Sequence, residues 1–178
     1  VAPYGHPLVD WLGALRIPNR GIISMNGVET SRARSPALRD EISIIRPNEL
    51  WAGTVFENIA VGRADVTAPI ARTALEQVGL LNEIRSLPNG IDTPLFHGGA
   101  PLSRSQALRL LVARAIAKNP RLLIVDASVE GFSYSEREAV ISALTSPQAP
   151  WTLVAMVNGV DRALARACTR VVRLDALS

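Results

Sequence analysis

Ala100 to Gly131, APLSRSQALRLLVARAIAKNPRLLIVDASVEG, is the stretch whose reading decides the fold. Ser103 stands where an N-cap belongs, its hydroxyl placed to take amide hydrogens at the start of a helix running to about Lys118. Gln106, three positions on, completes a capping-box pattern. Leu108, Leu111, Val112, Ala115 and Ile116 recur at helical spacing and predict the buried stripe, with Arg104 in the first turn. Asn119-Pro120 stops the helix. Leu122 to Asp126, LLIVD, then has the unbroken apolar character of a strand buried on both faces, closed by a carboxylate.

The same alternation continues outward. Downstream, the pattern predicts a helix over Tyr134 to Leu144, a strand over Trp151 to Val157, a helix over Val160 to Ala167 and a final strand over Arg170 to Leu174. Strand, helix, strand, helix, strand is the order of an α/β fold with a parallel sheet flanked by helices. Upstream, Pro7 to Leu15 reads as a short helix with proline in its first turn, ended by Pro18. Gly21 to Asn26 reads as a strand leading into a turn at Asn26-Gly27. A helical turn near Pro36 to Asp40, a strand over Ile42 to Ile45 and a brief helix over Glu57 to Val61 follow. Between Ala68 and Leu87, Ile70, Ala74, Leu75, Val78, Leu81 and Ile84 mark at least one helix, interrupted by Gly79. Pro88 to Pro101 is expected to be a long connector.

Length and composition bound the function. With 178 residues, 48% hydrophobic and 20% charged, the chain is expected to be a single domain, 1–178, with a substantial core. Its net charge of +3 comes from scattered arginines and one lysine, Lys118, which does not by itself imply a nucleic-acid groove. One cysteine, Cys168, excludes an intrachain disulfide, and its place near a helix end reads as a small buried hydrophobe. No apolar run reaches membrane-spanning length and the start is unlike a signal peptide, so a soluble chain is expected. His6 and His97 lie in proline- or glycine-rich loops without neighbouring ligands, and no serine, histidine and acid set stands out. Trp11, Trp51 and Trp151 are too widely spaced for a local stacking platform and read as core or partner packing.

Four passages carry a family resemblance. Gly21 to Glu29, GIISMNGVE, looks like a "GxIxxDG" strand and turn, and Leu50 to Gly62, LWAGTVFENIAVG, resembles "LFxGTIxENI". Leu87 to Gln106, LPNGIDTPLFHGGAPLSRSQ, resembles "LPxGxxTxxxxxGxxLSGGQ", and Ala113 to Asp126, ARAIAKNPRLLIVD, resembles "ARALxxxPxxLLLD". In order and spacing they are similar to the ATP-binding domain of ABC transporters, especially exporters, from about Pro7 to the C-terminus. The resemblance implies an ABC-type ATPase core, a P-loop NTPase fold in degenerate form, with a helical subdomain over about 66–118. It also implies Leu102, Ser103, Arg104, Ser105 and Gln106 as the signature region, and Asp126 as the magnesium-binding aspartate that ends the second nucleotide motif.

The departures from the family pattern fall on chemical positions. The phosphate loop, "GxxGxGKST", would fall near Gly5, His6 and Pro7, where either alignment lacks the lysine and proline takes a hydroxyl position. The competing reading of VAPYGHPL is a plain cap on a helix beneath the sheet. Arg46 takes the glutamine-loop position; it cannot ligate a cation, and it either meets phosphate, meets a partner's acidic surface, or is solvated. Arg104 and Ser105 replace two glycines, whose lack of a side chain permits close backbone approach; the bulk of the replacements blocks it unless Arg104 adds useful charge. Ala127 replaces the catalytic glutamate, Asn158 the switch histidine, and Ser133 the aspartate of the dimer-crossing loop; Glu130 replaces no family ligand.

The expectation is therefore a catalytically impaired nucleotide-binding-like domain of an ABC exporter or its accessory subunit, with no assigned catalytic residue. ATP and magnesium binding is expected to be weak or absent in the isolated chain. Expected partners are a second nucleotide-binding domain and transmembrane domains, with a homodimer as one arrangement, in the cytoplasm at the inner face of the membrane. Two rivals remain open: an active ABC ATPase energising export, and a basic adaptor for nucleic acid or an acidic protein. The adaptor requires Arg32, Arg34, Arg104, Arg109 and Arg121 to converge on one accessible stripe.

Overall fold

Strand and helix alternate as expected, and three parallel strands form the centre of the molecule. The computed structural model describes residues 7–25, 27–29, 36–126, 132–156 and 162–172. In chain order, α1 is Pro7–Leu12, β1 and β2 are Ser24–Met25 and Val28–Glu29, α2 is Pro36–Glu41 and β3 is Ile42–Ile45. Next come β4 (Gly53–Thr54), α3 (Val55–Ala60), α4 (Ala68–Gln77), α5 (Leu81–Arg85), β5 (Pro94–Leu95) and α6 (Arg104–Ala117). The chain continues with β6 (Leu122–Val125), α7 (Tyr134–Leu144), β7 (Thr152–Ala155) and α8 (Arg162–Ala167).

The sheet order is β3-β6-β7, with Ile45 opposite Val125 and Val125 opposite Ala155. As the central strand, β6 must be apolar on both faces, which is why LLIV does not alternate. Its side chains nevertheless sort with period two. Leu123 and Val125 join the large core made with α3 to α7, while Ile124 faces Val9 of α1 together with Ile42. Helix α1 lies close on that second face: a Cβ on Gly13, just past its end, would fall 2.4 Å from Ile44 Cδ1.

Several boundaries depart from the sequence reading, each for a local reason. Helix α1 ends at Leu12 rather than Leu15, since Ala14 turns to φ 54°. The strand expected over Gly21 to Asn26 shortens to Ser24–Met25, and Asn26 lies outside the described residues. Helix α3 starts two residues early because Thr54 and Glu57 form a reciprocal capping box. The connector from Pro88 to Pro101 is structured: it makes 3-10 turns at Gly90–Asp92 and His97–Gly99, and β5 pairs with β4. Arg170 to Val172 form no strand, and the rest of that expected element lies outside the described residues.

Helix α6 also differs from a simple amphipathic stripe. Besides the expected apolar residues it buries Arg109, Leu110 and Ala113, because α3, α4 and the sheet surround it. A guanidinium removed from water needs acceptors in place of hydration. Arg109, 1% exposed, finds four contacts: Gly79 O at 2.9 Å, both Glu83 carboxylate oxygens at 2.7 and 3.0 Å, and Glu136 Oε1 at 2.8 Å. Gly79, at φ 66°, breaks the α4-α5 run and turns its carbonyl toward this site; a Cβ there would meet Ala139 of α7 at 3.2 Å. One buried cation thus ties α5, α6 and α7 together.

Desolvation raises the Glu83 carboxyl, but the hydrogen bonds from Arg109 and Gln106 and the Arg109 charge outweigh it and leave the group below its ordinary value. Glu136 is also lowered, first by the Ser105 hydroxyl, then by the Ser133 amide and by Arg109. Depressed carboxyls stabilise the folded chain above their unfolded value and lose that contribution as pH falls through their folded values. Thermal midpoints measured from neutral pH downward are therefore expected to drop below about pH 4.5, the ordinary glutamate value, and to drop less in Arg109→Met. At neutral pH, urea unfolding of Arg109→Met is expected to show a loss of about 3 kcal/mol, the scale for removing one partner of a buried ion pair. Unchanged stability would mean that the two glutamates are satisfied by water.

Candidate functional site at the ends of β3 and β6

Ligands of open parallel sheets gather beyond the carboxyl ends of the strands. Here β3 passes into Arg46 and β6 into Asp126, and the Asp126 amide donates to Ile45 O at 2.9 Å, extending the ladder by one step. Arg46 is half-buried and paired on two sides. Its Nη2 donates to Asp10 Oδ1 at 2.5 Å, and its Nε faces Asp126 Oδ2 at 3.5 Å. The second contact is an ion pair without an aligned hydrogen bond, since both atoms are buried and neither makes one. The other oxygen of Asp10 meets Arg16 Nε at 3.2 Å. Arg46 is therefore not solvated, contrary to one reading of the sequence, and its fork is directed at this chain's own carboxylates.

Magnesium demands oxygen ligands in a tight octahedron. Asp126 offers a carboxylate, but the side chain facing it is a guanidinium, which has five donors and no lone pair. The described donor set does not fit a divalent cation. Pro7 begins α1, a helix of six residues, and supplies neither an amide hydrogen nor a hydroxyl. Gly5, His6, Ala127, Glu130 and Asn158 lie outside the described residues.

Beside this pair, Arg114 of α6 reaches back to the LWAGTVFEN passage. Its guanidinium stacks 4.4 Å from the Trp51 ring, donates to Asn58 O at 2.6 Å and Asn58 Oδ1 at 3.0 Å, and donates to Glu49 O at 3.0 Å. Burial lowers its pKa to about 10, with the Glu49 charge opposing the shift, so it stays protonated at neutral pH. Asn58, fully buried, donates to Trp51 O and Thr54 O at 3.1 Å each. Burial raises the Glu49 carboxyl and Asp126 adds to the rise, against the lowering charges of Arg46 and Arg114. Asp10, Asn58 and Arg114 were not singled out from the sequence. Asn58 inside an apolar helix pattern was the only local signal for any of them.

Leu102 to Gln106, expected from the resemblance to be the signature region, occupy the start of α6. Leu102 is half-buried against the core, and Ser103 is exposed at the N-cap, where its Oγ accepts from the Gln106 amide at 3.2 Å. Gln106 returns the bond, accepting from Ser103 N at 2.8 Å, and donates from Nε2 to Glu83 at 2.7 Å. Arg104 is exposed. Ser105, in place of a glycine, turns its hydroxyl inward to Glu136 Oε1 at 2.6 Å. Glu136 in turn caps α7 with Ser133. The signature loop and the start of α7 thus share one acceptor.

The five arginines named for a basic stripe cannot all lie on one accessible surface, since one of them is buried. Arg109 is internal, Arg121 is exposed 4.0 Å from Glu41, and Arg32 and Arg34 lie outside the described residues. Among the described residues no group of histidine, cysteine and carboxylate side chains is arranged to hold a metal, and no helix is long and apolar enough to cross a membrane. Trp151 donates to Leu144 O at 2.9 Å, a packing role, and Cys168 is half-buried with its thiol pushed up by burial.

Comparison with known proteins places this geometry. Residues 8–130 match the family model described as ABC transporter. Over 148 residues the chain is 31% identical to the ABC multidrug transporter mdr4 of Aspergillus fumigatus, covering 81% of this chain and 11% of that protein. It is 33% identical over 128 residues to ABC transporter B family member 19 of Arabidopsis thaliana, covering 71% and 10% respectively. It is 31% identical over 127 residues to the uncharacterized ABC transporter ATP-binding protein YwjA of Bacillus subtilis, covering 71% and 22%. The chain thus spans less than a quarter of each of these relatives. A bacterial Atm1-family ABC exporter solved with ATP bound has the same fold, with a TM-score of 0.78 at 23% identity over 85% of this chain and 27% of that one. The chain belongs to the ABC transporter family.

Proposed function

We propose that this chain is a nucleotide-binding domain of an ABC exporter, or of its accessory subunit, with impaired ATP hydrolysis and a structural or regulatory role. The observation that carries the reading is Arg46 set between Asp10 and Asp126, where a cation-binding carboxylate already faces an internal cation. Ala127 supports it from sequence, since a methyl group neither positions nor polarises water for attack on phosphate. ATP is the ligand expected of the family, and the exporter of like fold was solved with ATP bound. Without a lysine or hydroxyl at Gly5 to Pro7, this chain is expected to hold it weakly.

The expected partners are transmembrane domains and a second nucleotide-binding domain facing this one head to tail. Ser103 remains exposed, and its hydroxyl, while accepting from Gln106, keeps its own hydrogen to donate. With α6 behind it, that group suits support of a phosphate held by a partner with an intact loop. Whichever nucleotide the partner holds, this chain's part is to donate a hydrogen bond and fix orientation.

Phosphate release by the purified chain with Mg-ATP is expected to stay well below the ordinary enzyme range of ~1 to 1000 per second, and isothermal titration to show weak binding or none. Rapid turnover that disappears in Asp126→Asn would overturn the reading. In a mixed dimer with an intact partner, Ser103→Gly keeps a tolerated N-cap and removes only the hydroxyl. Partner turnover is then expected to fall about 100-fold, the scale for losing one donor to a developing charge; no change would remove Ser103 from the composite site.

A further inference from the structure

We propose that the Arg46 guanidinium is a built-in replacement for a divalent cation, so that Asp10 and Asp126 are neutralised from within the chain and Asp126 takes up no metal. The inference rests on Asp126 being the metal-side aspartate of the reading above. Two carboxylates approach each other here from α1 and from the end of β6, with side chains only 17% and 10% exposed. Charges so placed need a counter-cation, since removal from water is costly without one. The residue between them is itself four-fifths buried, and it divides its fork between the two.

Asp10 has both oxygens on guanidinium groups, one from Arg46 and one from Arg16. Asp126 Oδ2 has no hydrogen bond and lies 3.5 Å from the positive Nε of Arg46. An added divalent ion would have to coordinate that oxygen at 2.0 to about 2.6 Å and lie against a like charge that cannot move away without releasing Asp10. Glutamine at position 46 would supply a carbonyl oxygen instead of a charge, leaving Asp126 without this cation and Asp10 with Arg16.

Urea unfolding of the full chain, followed by tryptophan fluorescence in EDTA and in millimolar Mn2+, tests this directly. The wild type is expected to unfold at the same midpoint in both. Arg46→Gln in EDTA is expected to lose about 10- to 100-fold in its folding equilibrium, the scale of charged hydrogen bonds, and Arg46→Lys to recover part of that. Mn2+ is expected to restore Arg46→Gln but not Arg46→Gln/Asp126→Asn. An Arg46→Gln chain as stable as the wild type, or indifferent to Mn2+, overturns the proposal. If Arg46→Gln does not fold, electron paramagnetic resonance of Mn2+ with the wild type decides: a free-ion spectrum supports the proposal, and a bound spectrum lost in Asp126→Asn overturns it. Phosphate release in the same wild-type samples separates the two readings, because turnover accompanied by a free-ion Mn2+ spectrum sinks impaired hydrolysis while supporting the internal cation.

Discussion

Ile45 and Val125 pair in parallel register, so the residues that follow them, Arg46 and Asp126, emerge side by side at the same edge of the sheet. That register is the constraint on which the site depends. A slip of one residue would move every side chain of β3 to the other face, sending Ile45 toward α1 and taking Arg46 out of reach of Asp126. The apolar sorting that fixes the register also fixes the charge pair, for Val125 and Ile45 share the large core while Ile124 and Ile42 share the smaller one under α1. Helix α1 then brings Asp10 to the same guanidinium, and the close approach at Gly13 shows how little slack that helix has.

Three of the arginines serve inside the fold rather than on its surface. Arg109 sits inside the helical layer on Glu83 and Glu136, Arg114 lies over Trp51 on buried Asn58, and Arg46 lies between two aspartates. Each uses the planar fork in a way that lysine, a point charge on a flexible stem, would not reproduce. Arginines paired in this way cancel against their carboxylates and add little to an outward field. This weakens the nucleic-acid alternative more than the modest net charge does, because Arg109, needed for its stripe, is 1% exposed.

Elements governed by neighbours in sequence were legible. The bounds of β3, the capped start of α6 and the extent of α7 follow from local apolar spacing and from side chains that cap within three residues. The site was legible in its list of positions and not in its wiring. Nothing near Arg46 announces Asp10, which is 36 residues away, and helical spacing cannot tell an arginine inside a crowded helix from one on its wet face. Arg109 stands next to Leu108 and Leu110 in a helix buried on nearly all sides, so the surrounding elements, rather than the period of the helix itself, decided its environment. The capping box at Thr54 and Glu57 is also a local signal, and it sets the start of α3.

Ser105 and Arg46 are each held by partners within the chain. The Ser105 hydroxyl has an acceptor in Glu136, and that acceptor is already committed to capping α7 and to Arg109. Arg46 has carboxylates on both sides. An isolated loss of chemistry would leave unpaired polar groups, whose burial is costly. Here the added groups bind their neighbours, stiffening both the signature loop and the end of the sheet. Replacing Ser105 would take one donor from Glu136 and leave it Arg109 and the Ser133 amide, whereas replacing Arg46 would strip Asp126 Oδ2 of its facing cation and leave Asp10 with Arg16, so the end of the sheet depends on its arginine more than the start of α6 depends on its serine.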